Sequence, residues 1–162
     1  MEILGYDLNV KNSHFVKEGD DIVSTKDYVY TTNLYSCVAL YAVCGKTKYL
    51  GHINVLNRSE FRNGRTEKVY YMFDELSKTK TEDTLFVGLV YGAALDFYQG
   101  DKYEVIAHDL NQVIIRLEKS GIKVERLDDL NSEELVIDGV NNAIVTEYDS
   151  IEIGESQIKI IK

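Results

Sequence analysis

Proline and tryptophan are absent from the 162 residues of this chain. Without proline, turns must depend on glycine, asparagine and aspartate, which also adopt tight-turn backbone conformations. Basic charge is scarce as well, because 18 Lys and Arg stand against 27 Asp and Glu, for a net charge of −9. Phosphate backbones are bound by clustered Lys and Arg, so the composition argues against a nucleic acid partner.

Long apolar runs are also missing. No run approaches the roughly 20 residues that a membrane-spanning helix needs, so we expect no membrane insertion. The opening residues, MEILGYDLNV, carry an early Glu and Asp and do not resemble a secretory signal. We therefore expect a cytoplasmic protein whose two cysteines, Cys37 and Cys44, are reduced thiols. The length fits a single domain over 1–162.

Apolar periodicity predicts two helices, at residues 62–78 and 109–120. Each carries one apolar stripe: Val69, Met72, Phe73 and Leu76 in the first, and Leu110, Val113, Ile114 and Leu117 in the second. Runs rich in β-branched and aromatic residues predict strands at 28–34, 37–44, 48–56, 85–91, 122–127, 135–138 and 143–148, with a hairpin over 151–161. The order predicts an α/β (α+β) fold, a mixed β-sheet structure with two main helices packed on it.

The two strands at 37–44 and 48–56 are separated by Gly45-Lys46. Glycine at the first central position suits a two-residue type II′ hairpin turn. That turn pairs the strands so that Cys37 lies opposite Asn54 and His52 lies opposite Ala39. Because side chains alternate between faces, Cys37 and His52 are then diagonal neighbours on one face.

The register therefore places one thiol near an imidazole, whereas Cys44 faces the other way. A neighbouring His lowers the pKa of a thiol and makes a nucleophilic thiolate available. We expect Cys37 to react with iodoacetamide faster than Cys44, and His52 to be half-exposed. A second interpretation stays open, since a cysteine in a strand often serves only as a small buried hydrophobe.

The residues around the thiol carry a family resemblance. Leu34, Ser36, Cys37, Val38, Ala39 and Leu40, followed by a hairpin to His52 and Ile53-Asn54-Val55-Leu56, resemble the signature of the CheD family of chemoreceptor glutamine deamidases. The resemblance implies a Cys nucleophile at Cys37 and a His base at His52. It also implies a Thr six residues before the Cys, which is Thr31 here.

If the resemblance holds, the chain is a cysteine-dependent protein glutamine deamidase, an amidohydrolase that works through a thioester. Backbone N–H groups near Cys37 would bind the oxyanion, and Thr31 would orient the imidazole. The resemblance also implies partners: a protein substrate carrying a target Gln, for which the family example is a chemoreceptor of chemotaxis, and a CheC-like regulator. No cofactor is implied.

Because of three departures from the family pattern, the chain looks like a divergent member. Tyr35 stands where the family has Gly, the family's later Gly pair is reduced to Gly92-Ala93, and the Pro after the His segment is absent. Residues 4–8 look like the family's opening strand.

The Cys–His deamidase fold also resembles toxins of the cytotoxic necrotizing factor type. The alternatives are a catalytically inactive CheD-like protein-binding module and a structural domain with a buried Cys.

The other histidines give weaker signals. His108 precedes the predicted second helix, and His14 lies in the polar stretch NSHF, which favours a solvated loop. The chain contains no CxxC, HExxH, Walker loop or GxGxxG pattern, so the sequence predicts neither a metal site nor a nucleotide site.

Overall fold

A computed structural model describes residues 1–54, 66–78, 83–94, 102–153 and 158–161 of the chain. These residues form two α-helices, α1 (Thr66–Lys78) and α2 (Lys102–Lys119), and fourteen β-strands. The strands are β1 (Glu2–Ile3), β2 (Tyr6–Asp7), β3 (Ser13–Phe15), β4 (Asp21–Ser24), β5 (Tyr28–Thr31), β6 (Cys37–Cys44), β7 (Thr47–Asn54), β8 (Leu85–Tyr91), β9 (Val124–Arg126), β10 (Leu130–Asn131), β11 (Leu135–Asp138), β12 (Ala143–Thr146), β13 (Ser150–Ile153) and β14 (Ile158–Ile161).

Most strands belong to two mixed sheets. The central sheet has the order β10-β8-β6-β7-β4, and β9 and β10 pair in parallel with successive parts of β8. The second sheet has the order β14-β13-β12-β11-β5-β3, and of its pairings among the described residues only β3–β5 is parallel. The predicted α+β class with mixed sheets and two helices is confirmed, and the strands divide between two layers.

The core lies on both faces of the central sheet. One face packs on the helices, where Leu40 and Leu89 of the sheet meet Phe73 and Leu110. The opposite face packs on the second sheet through the residues Tyr41, Leu50, Ile137, Ile144 and Ile151. Side chains point to alternate faces along a strand, and both faces of this sheet are covered. All eight residues of β6 are therefore buried. Fully burying a large apolar side chain contributes about 1.5–3 kcal/mol, so this central strand anchors the fold.

Both helices bury the predicted apolar stripes, but the second helix begins earlier than predicted. Helix α1 ends at residue 78 as predicted, and residues 62–65 of the predicted helix lie outside the described residues. Helix α2 begins at Lys102 rather than 109, because Ile106 extends the apolar stripe of Leu110 onto the same core. Neither described helix combines the length and apolar character that a membrane crossing requires.

Three strands, at 37–44, 85–91 and 135–138, have the predicted bounds. The predicted strand 28–34 is too long: β5 stops at Thr31, and Asn33 takes a left-handed backbone conformation with φ of 59°. Residues 4–8 do not form one strand either. Leu4 and Gly5, with φ of 51° and 83°, make a tight turn between β1 and β2.

Candidate active site

The hairpin of β6 and β7 has the predicted register. Cys44 pairs with Thr47, Cys37 with Asn54, and Ala39 with His52. Gly45 has a φ of 58° while Lys46 stays outside the positive-φ region, as a type II′ turn requires. The turn chemistry therefore sets which side chains share a face.

The two cysteines lie on opposite faces of the central sheet and form no disulfide. Cys37 and Ala39 belong to the core between the two sheets, whereas Cys44 packs toward the helices. Both are 1% exposed. The prediction that only Cys37 shares a face with His52 is confirmed.

Thr31 reaches His52 from the other sheet. Its Oγ1 lies 2.7 Å from Nδ1 of His52 and also donates a hydrogen bond to the Val16 carbonyl at 2.6 Å. A hydroxyl has one hydrogen, so with that hydrogen on Val16 the Oγ1 accepts from Nδ1–H. The proton of the neutral ring therefore sits on Nδ1, and Nε2 carries a lone pair. Thr31 is fully buried, while Thr32 is only partly so.

Nε2 of His52 is buried and has no hydrogen-bond partner among the residues that the structure describes. The ring is 2% exposed, so the expectation of a half-exposed His52 is wrong. The reason is tertiary, because the second sheet covers this face of the hairpin. Burial lowers the pKa of His52 and the charge of Glu18 opposes that shift, which leaves a neutral imidazole at pH 7.

Glu18 is the site residue that sequence reasoning missed. The Cys37 thiol donates a hydrogen bond to Glu18 Oε1 at 3.1 Å rather than to His52. One carboxylate oxygen of Glu18, Sγ of Cys37 and a ring nitrogen of His52 all lie within 4.8 Å of one another. In the sequence Glu18 belongs to an ordinary polar turn, VKEGD, and nothing there relates it to the thiol.

The turn that carries Glu18 is attached to the backbone of His52. Gly19 N–H donates to the His52 carbonyl at 2.8 Å, and His52 N–H donates to the Asp20 carbonyl at 3.0 Å. Beyond the turn, β4 continues as an antiparallel partner of β7, with Asp21 opposite Gly51. This edge pairing brings the carboxylate to the thiol.

The electrostatics of the thiol differ from expectation. Burial, and then the hydrogen bond and negative charge of Glu18, raise the pKa of Cys37 to about 12. The expectation that a neighbouring imidazole lowers this pKa is therefore wrong, because a neutral ring supplies no positive charge to offset the carboxylate. At neutral pH Cys37 is a protonated thiol.

The backbone before Cys37 is held by the segment after β8. Gly92 N–H donates to the Cys37 carbonyl and Ala94 N–H to the Tyr35 carbonyl, both at 2.9 Å. A Cβ at Gly92 would collide with the Tyr35 carbonyl oxygen. Tyr35 itself avoids positive φ and is half exposed, so its position does not demand the Gly of the family pattern. Ser36 N–H has no hydrogen-bond partner among the described residues.

The other two histidines lie apart from this cluster. His14 is in β3, half-buried, with its Nδ1 2.6 Å from Ser24 Oγ, so it is not the loop residue expected. His108 is exposed in the middle of α2 rather than ahead of a helix.

Comparison of the chain with protein-family models and with curated proteins found no match.

Proposed function

We propose that this protein is a cysteine-dependent protein glutamine deamidase, with Cys37 as nucleophile, His52 as base and Thr31 as the orienting residue. One observation carries the proposal. Thr31 engages Nδ1 and leaves Nε2 as a buried lone pair without a partner, in a ring that lies within 4.8 Å of the thiol sulfur. A proton acceptor held beside a nucleophile by a third residue is the arrangement of acyl-transfer triads.

The first half-reaction forms a thioester. The Cys37 sulfur attacks the carboxamide carbon of a substrate glutamine while Nε2 of His52 accepts the thiol proton. Because the pKa of Cys37 is raised and that of His52 is lowered, proton transfer accompanies attack, and no preformed thiolate–imidazolium pair is involved. The tetrahedral oxyanion is bound by backbone N–H groups near Cys37, of which Ser36 N–H is the candidate. Losing one such donor costs about 3 kcal/mol in comparable sites.

The first half-reaction ends when imidazolium His52 gives its proton to the amide nitrogen, which leaves as ammonia, and the acyl group remains on Cys37 as a thioester. The second half-reaction restores the enzyme. Neutral His52 then takes a proton from water, whose oxygen attacks the thioester carbon and releases Cys37 as a thiol. The balance is one glutamine carboxamide and one water converted to one glutamate and one ammonium.

Glu18 has two opposing effects on this cycle. Its charge favours the imidazolium form of His52, the form that exists after proton transfer. Its hydrogen bond to the thiol disfavours the thiolate. We place Glu18 beside the reacting atoms as an electrostatic residue, and the substrate carboxamide must displace its contact with Sγ for attack to occur.

The proposed substrate is a protein glutamine in the cytoplasm, with a chemoreceptor and a CheC-like regulator as the partners that the CheD resemblance suggests. Cys37 is 1% exposed, so in this proposal the substrate glutamine enters the site with its carboxamide leading. The alternative is a catalytically inactive CheD-like protein-binding module. The raised pKa of Cys37 is the observation that favours it, since such a thiol is a weak nucleophile by itself.

Ammonia release from a purified chemoreceptor cytoplasmic domain, followed by peptide mass spectrometry for Gln-to-Glu conversion, tests the proposal. We expect conversion by the wild-type chain and by Cys44→Ala, and none by Cys37→Ala or His52→Gln. The glutamine variant retains a polar side chain of similar size in the buried site. Labelling of wild type by an electrophilic glutamine analogue extends the test to other substrates. If neither conversion nor labelling depends on Cys37, the binding-module alternative stands instead.

A further inference from the structure

The cluster of Glu18, Cys37 and His52 combines three kinds of donor atom that a transition metal prefers. It offers a sulfur, an imidazole nitrogen and a carboxylate oxygen, all within 4.8 Å of one another. Zn²⁺ is bound by these three atom types, at about 2.3 Å for sulfur and about 2.0–2.2 Å for nitrogen and oxygen. Three protein ligands also leave the fourth tetrahedral position open to water or another small ligand.

A second observation concerns the same histidine. Nε2 of His52 is a buried lone pair with no partner among the described residues, and an unsatisfied buried polar atom is costly. The other ring nitrogen already donates to Thr31. Metal-bound histidines almost always donate their second N–H in this way, which sets the ring orientation and the tautomer.

The geometry requires only a small adjustment. Ligand atoms in a tetrahedral zinc sphere are about 3–4 Å apart, against an upper separation of 4.8 Å here. Glu18 is exposed and sits on a turn, so its carboxylate can close the remaining distance. Cys37 and His52 are held by the paired strands of one hairpin.

We propose that Glu18, Cys37 and His52 form a binding site for a zinc-class divalent ion. The Cys37 S–H bond breaks, its proton goes to solvent, and the sulfur lone pair coordinates the ion together with Nε2 of His52 and a Glu18 oxygen. The bound ion occupies both the thiol and the lone pair, so a metal-loaded chain is closed to any reaction at Cys37. The site itself does not depend on the chain being a deamidase.

Cobalt(II) is the spectroscopic probe, because cobalt–thiolate bonds give a charge-transfer absorption in the near ultraviolet. We expect this absorption to saturate at one equivalent of Co²⁺ in wild type and in Cys44→Ala, and to be displaced by Zn²⁺. It should be absent in Cys37→Ala. Glu18→Gln should weaken binding by at least the roughly tenfold that loss of an outer-shell partner of a metal ligand costs, while Asp20→Asn in the same turn should bind as wild type does.

A second measurement uses wild type alone and so does not depend on any variant folding. Zn²⁺ should slow iodoacetamide labelling of Cys37 but not of Cys44, and a chelator should reverse the protection. No cobalt absorption in wild type, absorption that survives Cys37→Ala, or equal protection of both cysteines would overturn the site. Neither experiment needs a substrate, so a protein that binds metal without deamidating glutamine refutes only the proposed function.

Discussion

At the scale of single residues, the pKa of the Cys37 thiol is raised first by burial and then by the carboxylate of Glu18, which lies outside the hairpin. Cys37 donates to Glu18 and its pKa is raised, while burial lowers the pKa of His52 and Thr31 accepts a hydrogen bond from its Nδ1–H. The result is a pair of neutral groups. Such a pair depends on proton transfer during attack and therefore on accurate placement of the ring.

Replacing Glu18 should expose the intrinsic reactivity of the thiol. Burial raises the pKa of Cys37 most, and Glu18→Gln removes the negative charge that raises it further. Because only the thiolate is nucleophilic, labelling of Cys37 by iodoacetamide at pH 7 should speed up, by roughly tenfold for each unit of pKa lost. Mass-spectrometric mapping of adducts over time measures this rate. Asp20→Asn, a 57% exposed neighbour in the same turn, is the control, and an unchanged Cys37 rate in Glu18→Gln would contradict the assignment.

Replacing Thr31 should lower the deamidation rate less than replacing Cys37 does, and the loss should depend on the Thr31 hydroxyl. Thr31→Ala leaves the buried Nδ1–H of His52 without its acceptor, which costs about 1–3 kcal/mol, and each 1.36 kcal/mol changes a rate about tenfold. Thr31→Ala should therefore reduce single-turnover deamidation by roughly one to two orders of magnitude. Thr31→Ser keeps the acceptor for Nδ1 and should retain most activity, and Thr32→Ala should be close to wild type. A larger effect of Thr32→Ala would show that the wrong threonine has been assigned.

At the scale of elements, the segment after β8 supports the segment before the nucleophile. Gly92, Ala93 and Ala94 donate successive backbone hydrogen bonds to residues 34–37. The contact is close enough that a methyl group at Gly92 meets the Tyr35 and Cys37 carbonyl oxygens. Where the family has two glycines, this chain has Gly92-Ala93, and Gly92 is the position at which a side chain would collide with the backbone.

Gly92→Ala should accordingly destabilise the fold and displace Cys37. Overpacking against backbone typically costs about 1–3 kcal/mol, and urea unfolding measures the loss. Gly121→Ala is the comparison, because Gly121 has a φ of 89° but open space around it, so that variant suffers backbone strain without collision. Amidase activity should fall in Gly92→Ala and stay unchanged in Gly121→Ala. Equal activity in the two folded variants would mean that the Gly92 contact does not position the nucleophile.

At the scale of the whole molecule, Lys48 links the two sheets away from the site. It belongs to β7 but is 2% exposed, and its Nζ donates to the carbonyls of Lys26 and Lys46 at 2.7 and 2.9 Å. Its stem also packs against Gly139 in the turn between β11 and β12 of the second sheet. Burial lowers the pKa of Lys48, against the charges of Asp27 and Asp138.

Lys48→Met should therefore lower the free energy of unfolding at pH 7 by about 1–3 kcal/mol, because two carbonyls lose a charged donor. The pH dependence has a definite sign. The pKa of Lys48 is lower in the folded chain than in the unfolded chain, so the folded chain holds this proton less tightly. The contribution of Lys48 to the free energy of unfolding therefore increases as pH rises toward 10.5, its ordinary pKa, and decreases as pH falls toward its pKa in the folded chain.

The stability difference between wild type and Lys48→Met should grow from pH 7 to pH 9.5, and urea titrations at both values measure it. Lys46→Met, an exposed lysine two residues away, should change stability little at either pH. A difference that shrinks over this range would contradict the direction of the Lys48 shift.

The sequence by itself determined the register of the β6–β7 hairpin and the buried faces of the helices, which depend on local periodicity and turn chemistry. Alternation along β6 and β7, with glycine in the turn, sets the pairing of Cys37 with Asn54 and of Ala39 with His52. The apolar stripes likewise define the buried faces of both helices. Such features depend on neighbours a few residues apart, whose backbone geometry is nearly invariant. Thr31 came from the family resemblance, since no local spacing relates it to His52.

Only the tertiary structure decided what surrounds the thiol. Stacking of the second sheet on the central one brings Thr31 to Nδ1 and buries the imidazole, and edge pairing of β4 with β7 brings Glu18 to the sulfur. These contacts join residues 15 to 21 positions apart across separate elements, where sequence pattern carries no distance information. The pKa of Cys37 follows from them, because burial and a nearby charge are properties of the assembled site rather than of the residue.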